Sequence, residues 1–168
     1  MKSSLINFVD ENLKKHFADA LVSAKMEVDF PVFEIKREKL TEIIGYLYSD
    51  PQMEFQFLTT LCGLHYPQNK GKELGMMYQL HNLPKNTRIR LKTFFPVSDP
   101  VVPSLTGIFA SANWQERQEF DFYGIKFTGH PNLKRILNMD EMNYHPMRKE
   151  YALEDGTRTD KDDTMFGR

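Results

Sequence analysis

The chain has 168 residues, and a domain of about 150 residues buries roughly 70% of its unfolded surface, so one substantial core is expected. Its 22 lysines and arginines against 23 acidic residues give a net charge of -1, which excludes the global basic field typical of sequence-independent nucleic-acid binding. The single cysteine, Cys62, excludes an internal disulfide and a four-thiolate iron–sulfur cluster, and its apolar neighbours predict a buried thiol.

The N-terminal third predicts a helix, two strands and a second helix. After Ser3 or Ser4 as N-cap, apolar residues recur at helical spacing as far as Phe17. Residues 22–30 alternate apolar and polar side chains, which predicts a strand with one face in the core; Pro31 interrupts it and residues 32–35 resume as a strand. Helical spacing returns over residues 37–48 with Leu40, Ile43, Ile44 and Leu47, and ends at Asp50-Pro51.

Three further strands are predicted over residues 54–66, 74–81 and 87–95. In the third strand, Ile89, Leu91 and Thr93 are expected to face the core. The alternating basic residues Arg88, Arg90 and Lys92 are expected to face solvent. A basic strand face is also compatible with RNA binding, but the aromatic motif of RNA-binding sheets is missing. We therefore expect a solvated sheet face and no nucleic-acid partner.

The C-terminal half is built differently, with prolines and short elements. Pro96, Pro100 and Pro103 predict an extended connection, and Pro103-Ser104 the start of a short helix. A helix over residues 114–123 is expected to have Asn113 as its N-cap and to stop at Gly124, followed by a strand over 125–127 and a helical turn over 132–137.

These patterns predict an α+β fold: a mostly antiparallel sheet with packed helices, followed by an extended C-terminal segment. Residues 1–151 are expected to form a single domain. Residues 152–168 are a charged tail that we expect to order on a partner. No stretch approaches the roughly 20 apolar residues of a membrane span, so we expect no direct span of the bilayer.

The polar segments offer few catalytic or cofactor motifs. The five histidines show no metal-ligand spacing, and no phosphate-binding loop or dinucleotide fingerprint occurs. Glu116 and Glu119 stand one helical turn apart and, with His130, would suit an acid–base enzyme. The alternative is an ion-paired helix surface with aromatic residues buried beneath it, namely Trp114, Phe120 and Tyr123.

Two His-Pro steps, His130-Pro131 and His145-Pro146, are each followed by basic residues. Such steps form extended corners that hold arginine at defined angles, and arginine and aromatic residues dominate protein interfaces. A docking surface is one interpretation. The other is internal, with Arg135 or Arg148 pairing with Glu116 or Asp121 to fix the C-terminal half.

A series of short motifs runs through this region: Ala112-Asn113-Trp114, Glu116-Arg117, Asp121-Phe122-Tyr123-Gly124-Ile125, Phe127, Gly129-His130-Pro131, Leu133, Arg135-Ile136-Leu137 and Pro146-Met147-Arg148-Lys149. In order and spacing the series resembles the C subunit of bacterial NADH-quinone oxidoreductase, the counterpart of a small peripheral-arm subunit of respiratory complex I. Residues 55–66, 76–80 and 102–104 also look like that family. Gln118 departs from its usual glutamate, and Glu150 from its usual aspartate.

The resemblance implies a non-catalytic structural subunit of the peripheral arm of a proton-translocating enzyme complex. It implies a peripheral place at the cytoplasmic side of the bacterial inner membrane, and no cofactor on this chain; NADH, FMN, iron–sulfur clusters and quinone would belong to the complex. The expected partners are the quinone-site subunit (D type) and neighbouring iron–sulfur subunits. An equivalent subunit of a related membrane-bound hydrogenase or dehydrogenase, with another electron donor, is the alternative.

We expect the partner interface within residues 114–151. The residues assigned to it are Glu116, Arg117, Asp121, Tyr123, Gly124, His130, Pro131, Arg135, Pro146, Arg148, Lys149 and Tyr151.

Overall fold

A computed structural model describes residues 2–151, with side chains from residue 5 onward, and this part of the chain has an α+β fold, as predicted. The tail predicted over residues 152–168 lies outside the described residues. In chain order the elements are α1 (Lys2–Phe17), β1 (Leu21–Glu27), β2 (Phe30–Ile35), a 3₁₀ turn (Arg37–Lys39), α2 (Leu40–Ser49), β3 (Phe57–His65), β4 (Leu74–Asn82), β5 (Thr87–Phe95), β6 (Val101–Pro103), α3 (Ala112–Tyr123) and β7 (Lys126–Thr128).

Helix α2 follows from its apolar stripe. The four residues predicted to face the core, Leu40, Ile43, Ile44 and Leu47, are fully buried. The helix ends at Ser49 because Asp50, which precedes Pro51, has an extended backbone. The predicted helix therefore forms, with its first three residues in the 3₁₀ turn.

Five strands form a mixed sheet in the order β1-β2-β5-β4-β3, in which only β2 and β5 pair in parallel. One row of register partners crosses the sheet and is buried in the core: Phe33, Leu91, Tyr78 and Leu61. The next row belongs to the opposite face because side chains alternate along a strand: Glu34, Lys92, Met77 and Cys62. Cys62 is only partly buried there, so its predicted core position is wrong, although burial does raise the pKa of its thiol.

Strand β5 confirms the predicted alternation. Ile89, Leu91 and Thr93 are buried. Of the basic residues opposite, Arg88 is exposed, as expected for a solvated face, whereas the other two contact neighbours on the sheet. The Arg90 guanidinium lies over the Phe30 ring at 4.3 Å, and the Lys92 ammonium is 2.6 Å from a Glu27 carboxylate oxygen.

The predictions for β1 and β2 need correction. β1 is an edge strand, and the face expected in the core is largely exposed, with Val22 at 50% and Met26 at 39% exposure. Pro31 does not interrupt a strand; it lies within β2. The β2–β5 ladder spans residues 32–34 of β2, so the missing N–H of Pro31 removes no bond from it.

Other local predictions also differ from the structure. Helix α1 already includes Ser3 and Ser4. The short helix expected at Pro103 is replaced by β6, which pairs in parallel with β7. No helix forms over residues 132–137. Among residues 2–151, no helix combines the length and apolar character that crossing a bilayer requires.

Candidate partner interface

Helix α3 closes the outer edge of the sheet with its side chains. The amide oxygen of Gln115 accepts a hydrogen bond from the Leu61 N–H at 2.8 Å. A carboxylate oxygen of Glu119 accepts one from the Gly63 N–H at 2.6 Å. Because β3 is an edge strand, these N–H groups have no neighbouring strand on that side, and α3 takes its place.

The fit of α3 against β3 depends on a glycine. A Cβ at Gly63 would lie 2.5 Å from the Tyr123 ring and 2.8 Å from the Glu119 carboxylate. We therefore expect Gly63→Ala to lower the free energy of unfolding by about 1 to 3 kcal/mol through overpacking, as measured by urea denaturation. Gly107→Ala is the matched control because its Cβ would meet nothing within 4 Å. Equal losses in the two variants would contradict the close packing of α3 on β3.

The two glutamates of α3 are buried, not part of an ion-paired surface. Glu116 accepts hydrogen bonds from the Ser104 hydroxyl at 2.6 Å and the Leu105 N–H at 2.7 Å. Burial raises the pKa of Glu116, and raises the pKa of Glu119 to about 7. Trp114, which was expected beneath that surface, is instead 64% exposed.

The acid–base interpretation gains no support from this geometry. Both carboxylates are occupied by neutral donors of the fold. A cleft of about 920 Å³ is lined by residues of α1, the β1–β2 and β4–β5 turns and the loop after α2, and α3 contributes none of its lining. A catalytic carboxylate must reach a reacting group, and these two reach backbone and hydroxyl groups instead.

Asp121 joins α3 to the C-terminal segment, which we define as residues 129–151. Its side chain is fully buried. One carboxylate oxygen accepts hydrogen bonds from the N–H groups of Ile136, Leu137 and Asn138 at 3.1, 2.8 and 3.0 Å. Burial alone would raise the pKa of Asp121, but these bonds and those of the Asn138 amide and the Arg135 guanidinium hold the pKa well below its usual range.

Arg135 extends this connection. Its Nη1 lies 2.6 Å from the second Asp121 oxygen, and its Nη2 donates to the carbonyls of Met142 and Tyr144 at 2.8 and 3.0 Å. Only 9% of the side chain is exposed. The internal interpretation of the basic residues is therefore confirmed for Arg135, with Asp121 as its partner.

Gly124 forms the corner at which α3 ends. Its φ of 72° is left-handed, and a Cβ would lie 2.5 Å from the His145 ring and 2.9 Å from Arg148. The predicted helix stop is confirmed, and the position requires glycine for both reasons. His145 contacts the Asp121 carbonyl at 3.0 Å, and Arg148 donates to the Tyr123 carbonyl at 2.7 Å, so the second His-Pro corner packs on α3.

The first His-Pro corner is also fixed to α3. His130 Nε2 lies 3.0 Å from the Asn113 carbonyl, and its Nδ1 accepts from the Asn132 N–H. Asn113 thus binds the corner through its carbonyl and does not cap α3, which begins after Ser111 without a side-chain cap. Arg117 donates to the carbonyls of Lys134 and Arg135 and lies 4.8 Å from the Trp114 ring centre.

The remaining predicted interface residues lie nearer the surface. Pro131, Lys149 and Tyr151 are exposed, and Pro146 is half-buried. The Lys149 N–H donates to His65 Nδ1, and the Tyr151 ring lies 5.0 Å from that of Tyr144. Tyr123 is half-buried against Gly63, and burial raises the pKa of its hydroxyl.

Large apolar side chains are exposed on α3 and the C-terminal segment. We call this set the docking surface: Trp114, Leu137, Met139, Tyr144, Met147 and Tyr151, each between 39% and 69% exposed. Of this set, only Tyr151 was among the residues assigned to the interface from the sequence, although Leu137 and Met147 belong to the motif series. Large apolar residues between prolines and asparagines were the available signal.

Residues 5–151 contain no cluster of three or more histidine, cysteine, aspartate or glutamate side chains that could hold a metal ion. The two acidic residues assigned to the interface, Glu116 and Asp121, hold backbone amides and an arginine of the chain itself. Their chemistry is that of structural acceptors.

Comparison with known proteins agrees with the motif series. The family model described as the respiratory-chain NADH dehydrogenase 30 kDa subunit matches residues 33–157. The C subunit of NADH-quinone oxidoreductase from Mycolicibacterium gilvum is 38% identical over 137 residues, which is 82% of this chain and 61% of that protein. The chain therefore spans about three-fifths of the length of such curated relatives.

Solved structures share the fold. A trypsin-resistant fragment (1–134) of Nqo5 is 28% identical with a TM-score of 0.64, and the match covers 74% of this chain and 98% of the fragment. A chain of the membrane-bound sulfane sulfur reductase, an archaeal respiratory membrane complex, aligns with a TM-score of 0.70 over 88% of this chain and 85% of its own length, at an identity of 21%. With three-quarters of its sequence matched by the family model, the chain belongs to the family of the 30 kDa subunit of respiratory-chain NADH dehydrogenase.

Proposed function

We propose that this chain is a non-catalytic subunit of the peripheral arm of a proton-translocating NADH-quinone oxidoreductase. Its role is to hold the quinone-site subunit through the docking surface. The observation that carries the proposal is the concentration of exposed apolar side chains on a segment whose two arginines, Arg135 and Arg148, bind groups of the chain itself. Five of these side chains lie within residues 137–151.

The arrangement suits a protein partner. Aromatic and methionine side chains are enriched at interfaces, and burying them in a partner removes apolar area from water. The Arg117 guanidinium lies over the Trp114 ring and donates to the carbonyls of Lys134 and Arg135. The tryptophan is therefore held beside the C-terminal segment. A fixed aromatic anchor loses little conformational entropy on binding.

In this proposal the chain binds no cofactor. NADH, FMN, iron–sulfur clusters and quinone belong to the other subunits, among which the quinone-site subunit and neighbouring iron–sulfur subunits are its contacts. The protein would lie at the cytoplasmic side of the bacterial inner membrane, attached through the complex. The names of the curated relatives support this assignment of the complex.

The test is a charge placed on the docking surface. A Leu137→Asp, Met139→Asp double variant is expected to reduce, roughly ten-fold or more, the amount of partner subunits that co-purify with the tagged chain from membranes. The reason is that an unpaired carboxylate buried at an interface costs several kcal/mol, and each 1.4 kcal/mol is ten-fold in affinity. Quinone reductase activity per membrane should fall with the amount of complex.

Leu83→Asp is the control, because Leu83 is 57% exposed, close to the 61% of Leu137, but lies in the β4–β5 turn. It should leave co-purification unchanged. Full assembly of the double variant would refute the docking role. Recovery of hydrogenase-type subunits or of a different electron-input subunit with the wild-type chain would refute the NADH-linked complex and support the related complexes instead.

A further inference from the structure

Three consecutive backbone N–H groups point at one oxygen atom in the C-terminal segment. The amides of Ile136, Leu137 and Asn138 all lie within 3.1 Å of the same Asp121 oxygen. The other oxygen is held by the Arg135 guanidinium at 2.6 Å and the Asn138 side-chain amide at 3.0 Å. Convergent backbone amides of this kind form a concave anion site, and arginine completes it for a planar carboxylate.

Two arginines in or beside this anion site also make hydrogen bonds that do not involve Asp121. Arg135 is also held by the carbonyls of Met142 and Tyr144. Arg117 binds the carbonyls of Lys134 and Arg135, which lead into the three amides. Arg135 and the residues directly before the three amides therefore have supports that do not involve the carboxylate.

We propose that residues 135–138 form a carboxylate-binding nest, which holds Asp121 in the native chain and binds a free monocarboxylate when the Asp121 side chain is shortened. Formate matches it because it presents the same planar pair of oxygens and is small enough for the space that Asp121 leaves. The lowered pKa of Asp121 agrees with a site that selects the ionised carboxylate.

The nest has a consequence for docking, which rests on the proposed function. Leu137 belongs to both the nest and the docking surface, and Met139 follows directly after the nest. Occupation of the nest thus fixes the direction in which these two side chains are presented. Asp121 is a positioning residue for the interface, although it is itself fully buried.

The test uses hydrogen–deuterium exchange of the full chain. In the wild-type chain the amides of Ile136, Leu137 and Asn138 should be protected, and in Asp121→Ala they should exchange roughly ten-fold faster or more, because they lose their acceptor. Added formate should restore protection in Asp121→Ala, while chloride at equal ionic strength should not. Adding Arg135→Gln to Asp121→Ala should abolish the rescue by formate.

Loss of protection without rescue by formate would overturn the nest, as would protected amides in Asp121→Ala. If Asp121→Ala does not fold, the proposal is tested with Asp121→Asn, through the pH dependence of its free energy of unfolding. The difference in free energy of unfolding between wild type and Asp121→Asn should be present above pH 4 and shrink as the pH falls, because the folded state holds the carboxylate ionised. A difference independent of pH would overturn the proposal.

A separate experiment tests the effect on docking. It compares the amount of partner subunits that co-purify with the Asp121→Ala chain in the presence and absence of formate. Restored amide protection with restored partner binding supports both proposals. Restored protection in a chain that still recovers no partner leaves the nest intact and counts against the docking surface.

Discussion

Arg135→Ala is expected to lower the free energy of unfolding by about 3 to 5 kcal/mol, because it leaves a buried carboxylate without its charged partner. Asp121 is fully buried, and the Arg135 side chain is 9% exposed. The carbonyls of Met142 and Tyr144 lose their donor in the same variant. Urea denaturation followed by circular dichroism would measure the change.

Lys39→Ala is the control, since Lys39 pairs with Glu42 at the start of α2 and the two side chains are 41% and 56% exposed. Surface pairs of this kind contribute little, so this variant should unfold close to wild type. An Arg135→Ala loss no greater than that of the control would contradict a stabilising role of the Asp121–Arg135 pair. Assembly of the complex should fall together with stability.

Glu119→Gln is expected to stabilise the chain by about 3 kcal/mol at pH 8 and by no more than about 1 kcal/mol at pH 5. The pKa of Glu119 is raised from 4.5 to about 7 by burial, which the hydrogen bond from Gly63 only partly offsets. One pKa unit corresponds to about 1.4 kcal/mol. A raised pKa in the folded state gives stability that is present below pH 4.5 and is lost as the pH rises through 7.

Glutamine keeps an oxygen that accepts from the Gly63 N–H but carries no charge to bury. The groups that face Glu119 from α3 and the sheet are Tyr123, Cys62 and Tyr78, and the pKa of each is raised, so all three stay neutral over this pH range. The measurement is the difference between variant and wild type at several pH values. The pKa values of His65 and His145 are lowered and their titration cancels in that difference.

An exposed acid provides the control for this prediction. Glu38→Gln, with 67% of the side chain exposed in the wild type, should give a difference that does not vary between pH 5 and pH 8. A flat difference for Glu119→Gln would contradict the raised pKa. Stabilisation of equal size at pH 5 and pH 8 would show that packing, not charge, is responsible.

Elements with a strong period were predictable from the sequence. The apolar residues of α2 recur every three or four positions, and the side chains of β5 alternate, so their burial could be read directly. For β1, the same alternation led to a wrong prediction of which side chains are buried. A period of two shows that a strand has two different faces, but it does not show whether helices reach far enough to cover an edge strand, and here Val22 and Met26 remain exposed.

The candidate site was predictable as a region but not in its internal chemistry. Acidic residues on a helix usually face water, which favours an exposed Glu116 and Glu119. Their donors are backbone groups of Leu105 and Gly63, and the pairing with Gly63 joins positions 56 residues apart. No local pattern reveals such a long-range acceptor.

The missing helix over residues 132–137 has a related cause. An α-helix directs each N–H to the carbonyl four residues earlier. The N–H groups of Ile136 and Leu137 instead donate to the Asp121 carboxylate. The N–H of Asn138, just after the predicted turn, donates to the same oxygen. A buried carboxylate from another element thus outweighs the local preference, as side-chain acceptors can.

The parallel pairing of β2 with β5 determines the order in which contacts become favourable during folding. Strands β3 and β4 are joined by eight residues, and β4 and β5 by the four-residue Leu83–Asn86 turn. Pairing Phe33 with Leu91 closes a loop more than ten times as long as that turn. The entropy cost of loop closure grows with the logarithm of length, so the longer closure costs about 2 kcal/mol more. The β3–β4–β5 meander is therefore the natural template onto which the N-terminal hairpin docks, and non-local docking of this kind slows folding.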